Sequence, residues 1–190
     1  MNQIFQVMQR DLKYYFQTYA LSSFAVGLVT YVFFRCMFFW RKCNKDANLK
    51  ADHCTGLNWA LFAAYLYMVL QIVLFSRTAG QTRIIIWKFF GTIHGGLWSW
   101  VFLLENIILL LPFGFFMPLL LQAFRNVWKC TGAGMLFSCL IELTQLLTKR
   151  GRCELDDIWS NTLGCAVGFG IWKVIDVAGK KIKLLFCGSD

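Results

Sequence analysis

The chain has 190 residues, of which 58% are apolar, 17% aromatic and only 15% charged, with a net charge of +9. That balance excludes an ordinary water-soluble domain, which could not bury so much hydrocarbon at this size. It also argues against nucleic acid as a partner, because the basic residues flank apolar runs, where they set membrane topology or meet anionic lipid.

A spanning helix needs roughly 20 mainly apolar residues. Five stretches come close: Ala20 to Phe39, Gly56 to Ser76, Leu97 to Leu121, Thr131 to Thr148 and Ile158 to Val174. The expected fold is therefore all-α, a multi-pass transmembrane bundle forming one membrane domain over residues 1–190, with short connections and no internal repeat. Ahead of the first run, Met1 to Tyr19 with its "KYYF" is expected to lie on the membrane surface as an amphipathic lead-in. The run itself is too long for a signal-peptide core and no small-residue cleavage site follows it.

Between the second and third runs comes "RTAGQTRIIIWKFFGTIHGGLWSW", Arg77 to Trp100. Its apolar patch, Ile84 to Trp87, between Arg83 and Lys88 predicts a short interfacial segment with aromatic rings at headgroup depth. His94 has no second histidine or cysteine at a partner spacing and reads as solvent-facing or backbone-bonded. In the third run, Pro112 lacks the N–H that would meet the carbonyl of Ile108, which predicts a kink. Pro112 and Gly114 then either tune packing, the favoured reading, or open room beneath Asn106. In the fifth run, Gly164 and Gly168 are four apart on one helical face, where small residues let another backbone approach. Eight cysteines show no zinc spacing, and Cys139 and Cys165 read as small buried hydrophobes with a weak S–H donor. No metal site or cofactor is expected.

The polar residues interrupting these runs follow a rule. Arg77 ends the second span, Glu105 and Asn106 open the third, Glu142 and Gln145 close the fourth, and Arg152, Glu154, Asp156, Asp157 and Asn161 lead into the fifth. Consecutive spans alternate in direction, so all of these positions fall on one side of the membrane. Half of the chain's ten acids, Glu154 included, are in this set. At 1.5 Å rise per residue, Glu105 lies roughly 7 Å below Trp100 and Glu142 roughly 9 Å below Thr148. Carboxylates at such depth ordinarily face the bundle interior and pair with one another. Glu142 and Gln145 share a helical face with Ser138, and Asp157 shares one with Asn161. Arg77 and Arg152 are the available counter-charges, able to hold a carboxylate or a phosphate through paired bonds.

Lysines and arginines concentrate in cytoplasmic connections. The "RKCNKDANLK" loop, the Arg125/Lys129 turn and the C-terminal tail, with Arg35 and Lys173 at adjacent helix ends, hold 11 of them, and the opposite connections hold 8. The expected orientation is N-terminus outside and C-terminus in the cytoplasm, with the polar cluster on the outer face.

The order "SRT", "ENIILLLPFGFFMP", "IELTQ" and "RCELDDIWSNTLGCAVGF" resembles the VanZ-like family of small bacterial membrane proteins, over about residues 77–169. Glu105 departs from the family pattern, in which many members carry an uncharged residue beside the asparagine. The resemblance implies a plasma-membrane protein of the bacterial cell envelope; the founding member is associated with low-level resistance to the lipoglycopeptide teicoplanin. It implies no settled reaction.

Three functions fit the cluster. As a polar pocket open to lipid, it would bind an amphiphile such as a teicoplanin-like glycopeptide or a lipid-linked wall precursor. As an intramembrane enzyme acting on a lipid headgroup, it would use Glu142 or Asp157 as base and Arg152 to steady an oxyanion, with a divalent cation on Glu142, Asp156 and Asp157 as an option. As a structural clamp, it would only tie helices together.

Overall fold

The computed structural model describes residues 2–42, 49–75, 85–86, 96–150 and 153–187. It contains α1 (Asn2–Lys42), α2 (Leu49–Leu70), β1 (Ile85–Ile86), α3 (Leu97–Leu120), α4 (Val127–Thr148), β2 (Cys153–Glu154) and α5 (Leu155–Cys187). A wide π-helical turn, Gln71–Phe75, prolongs α2, and one 3-10 turn, Gln122–Phe124, leads from α3 toward α4. Among the described residues, five helices are long and apolar enough to cross a membrane, so the protein is an all-helical multi-pass bundle.

The boundaries differ from the sequence expectation where local chemistry overrides hydropathy. No break separates a lead-in from the first span: α1 is one helix of 41 residues. At 1.5 Å per residue it is roughly 60 Å long, about twice a hydrocarbon core. The lead-in expected on the membrane surface is therefore part of a bundle helix. α4 begins four residues ahead of Thr131, because Asn126 caps it: its side-chain oxygen accepts from the backbone N–H groups of Trp128 at 2.9 Å and Lys129 at 3.3 Å. α5 continues past Val174 to Cys187.

α3 and α5 make the most extensive contact in the bundle, followed by α1 with α2 and α4 with α5. Glycine makes the first possible. A Cβ added at Gly114 would overlap the carbonyl of Cys165, one at Gly164 the carbonyl of Ile107, and one at Gly168 the carbonyl of Leu111. The two main chains thus lie against each other with no side chain between them. Around this seam Val69, Val101, Leu110, Cys130 and Cys165 are fully buried. Phe113 of α3 stacks on Phe137 of α4 with ring centroids 5.1 Å apart.

α3 stays helical through both of its prolines. Pro118 removes the N–H that would have met the carbonyl of Gly114, and the thiol of Cys130 points to that oxygen, 3.7 Å away. Cys165 Sγ in turn donates to the carbonyl of Cys130 at 3.5 Å. The buried thiols serve as small packing groups with a weak donor, as their setting in apolar runs suggests.

Candidate functional site

The site forms where α2 and α4 end and α3 and α5 begin. The last carbonyls of a helix have no acceptor role within it, and those of the wide turn closing α2 are met by α4 and by a residue just past its end. Val73 accepts from Gln145 Nε2 at 3.3 Å, and Leu74 accepts from Arg150 Nη1 at 2.7 Å. α4 presents Ser138, Glu142 and Gln145 on one buried stripe. From α5, Asn161 Nδ2 donates to Ser138 Oγ at 2.9 Å. The backbone N–H of Glu154 donates to Glu142 Oε2 at 3.1 Å. Across to α3, Asn106 Nδ2 donates to Asp157 Oδ1 at 2.7 Å.

β2 steadies this end. It pairs in parallel with β1, Ile85 beside Cys153 and Ile86 beside Glu154. The connection expected to hold the interfacial segment is described at Ile85–Ile86 and again from Gly96, where α3 is about to begin; the rest of it, including His94, lies outside the described residues. Burial, and behind it the negative charge of Glu142 and Asp157, pushes the Cys153 thiol above its ordinary value.

Among these groups lies a partly open cavity of about 200 Å³. Its polar wall is Glu105, Asn106, Glu142, Gln145, Asp157 and Asn161. Its apolar wall includes Tyr65, Ile72, Leu109 and Pro112, and Leu12 and Tyr15 of α1 close it on a further side. Glu142, Gln145 and Asn161 are each only 2% exposed. Two amide oxygens here, Gln145 Oε1 and Asn161 Oδ1, are buried without a hydrogen-bond partner. An unmet buried acceptor costs about 1–3 kcal/mol, so this wall is built for something that donates.

Six of the nine expected cluster residues therefore line one cavity. Asp156 does not: it is half-buried beside Asp157 and its backbone carbonyl accepts from Ser160 Oγ at 2.8 Å. Its position follows from helix geometry, since adjacent residues point about 100° apart. Arg77 and Arg152 lie outside the described residues. Among the described residues, Glu142, Asp156 and Asp157 do not converge as a donor set for a metal ion. Pro112 lines the cavity while Gly114 packs against α5, so the proline and the glycine divide the two roles weighed for them.

Sequence reasoning missed Arg150, Tyr65 and the two α1 residues. Arg150 counts only as a topology charge until the carbonyls of the wide turn are seen. Tyr65, whose hydroxyl donates to the carbonyl of Leu109 at 2.7 Å, is one aromatic among many in an apolar run.

A family model described as VanZ/LLP1 matches residues 21–176. The chain belongs to the VanZ/LLP1 family. The match takes in α2 to α4, most of α5 and the second half of α1, and so every described residue of the polar wall. No curated protein and no solved structure matches this VanZ/LLP1 chain.

Proposed function

We propose that this VanZ/LLP1 family member is a bacterial plasma-membrane protein whose outer-face cavity binds the head of an amphiphile. The candidates are a lipid-linked wall precursor and a glycopeptide of the teicoplanin type, and the cellular outcome is resistance to that glycopeptide. One observation carries the reading: a cavity of about 200 Å³ whose buried wall keeps two amide oxygens without partners. A structural clamp would close such a gap, because native packing leaves few voids larger than a water molecule. Apolar side chains from α1, α2 and α3 on the other wall suit the start of an acyl or aromatic tail.

The test is growth at graded teicoplanin in cells producing the wild-type protein or single variants. Asn106→Leu and Asp157→Asn should each abolish protection while the protein still accumulates in the membrane at wild-type level. Undiminished protection by both variants would remove the cavity from the function.

A further inference from the structure

We propose that the group received by this cavity is a primary ammonium, the N–H-rich cationic head of an amine-bearing amphiphile, which rests on the amphiphile-binding reading above. The decisive atom is Gln145 Oε1. A carbonyl can only accept, so Val73 obliges the Gln145 amide to turn its nitrogen toward it, at 3.3 Å. The amide oxygen is thereby left on a 2% exposed side chain of the cavity wall, with no donor. Asn161 Oδ1 is the second such atom. Its amide faces the Ser138 hydroxyl, which can donate or accept, so Gln145 is the firmer of the two.

Oxygen lone pairs repel a phosphate or carboxylate and welcome N–H. The same wall adds the carboxylates of Glu142 and Asp157, which make short, strong bonds to a charged donor. A primary ammonium has three N–H bonds and no acceptor, matching two amide oxygens and one carboxylate. A quaternary ammonium has equal charge and no N–H, and leaves both amide oxygens unmet. Water alone donates only twice and takes about 30 Å³, so a cavity of about 200 Å³ has room for a head larger than one water.

The experiment compares heads on identical tails. The wild-type protein is placed in nanodiscs holding equal amounts of phosphatidylethanolamine and phosphatidylcholine with the same acyl chains, and the lipid kept after partial delipidation is read by native mass spectrometry. The ethanolamine lipid should be enriched by about 10-fold or more, the worth of one hydrogen bond to a charged group. Gln145→Met, which keeps the volume and removes the acceptor, should bring the ratio near unity. Should that variant fail to accumulate, the wild-type ratio decides alone. Free ethanolamine hydrochloride is then added to the loaded protein. Displacement of the lipid supports the ammonium with soluble amines as an equal source, and enrichment without displacement supports it with a lipid source. Lipid retention that depends on Gln145 but ignores the head overturns the ammonium and leaves amphiphile binding standing. Retention indifferent to both head and variant removes both.

Discussion

At the scale of single residues, Cys153 reports on the charge of the cavity wall. It is half-buried in β2, and its thiol is held above the ordinary value first by burial and then by Glu142 and Asp157. Only the thiolate attacks a maleimide, so labelling should rise with pH along a curve displaced to the alkaline side of the usual thiol value of about 8.5. The sign for stability follows: this thiol's contribution is intact below the unfolded value and is lost as pH rises through the folded one. Glu142→Gln combined with Asp157→Asn should move the labelling curve part of the way back, burial still holding the rest. Peptide mass spectrometry of Cys153 across pH 7 to about 10.5 reads this, and an unmoved curve would mean that the two carboxyls are neutral in the folded protein. At the other end of the bundle Asn126 offers a simpler check. Its two bonds to backbone N–H groups make it the cap of α4, so Asn126→Ala should cost about 1 kcal/mol in a denaturant titration of the micellar protein.

At the scale of elements, the α3–α5 seam is the tightest constraint in the fold and the easiest to test. Gly114 and Gly168 each face main-chain atoms of the opposing helix, which cannot rotate aside as a side chain would. Alanine at either position should therefore cost about 1–3 kcal/mol or more, the usual range for overpacking. Gly132 and Gly170 have nothing near the position of a Cβ, and alanine there should be neutral or stabilising by up to about 1 kcal/mol. Equal effects at all four positions would show that the helices do not approach through these glycines. The seam was half legible in advance. Gly164 and Gly168 announce a close approach by their four-residue spacing, whereas nothing in the sequence says that α3 supplies the other backbone. The wide turn closing α2 was not legible at all: "QIVLF" contains neither proline nor glycine. Its carbonyls are opened by tertiary partners, Gln145 and Arg150, that stand more than seventy residues away.

For the whole molecule, alternation of span direction was the one argument from sequence that reached tertiary structure. It needs only the order of the spans and which end of each a residue stands near, so it placed Asn106, Glu142 and Asp157 at one end although several helix boundaries fall elsewhere than expected. It could not place Asp156, whose exclusion depends on the rotation of α5, nor α1, whose side chains reach the cavity because its helix continues unbroken through Leu12 and Tyr15. Five spans put the two chain termini on opposite sides of the membrane, and the proposed orientation, with the cavity end outside, rests on the distribution of basic residues, 11 against 8. Lys149, just past α4, and Lys129, in its first turn, are both exposed and mark the two ends of that helix. In intact cells a membrane-impermeant maleimide should label Lys149→Cys and spare Lys129→Cys until the membrane is permeabilised, with the modified peptides read by mass spectrometry. The opposite pattern would turn the cavity toward the cytoplasm, where a glycopeptide acting outside the cell could not reach it, while leaving the antiparallel threading intact. Labelling of both positions in intact cells would break the threading itself, since α4 then could not cross the bilayer between its two ends.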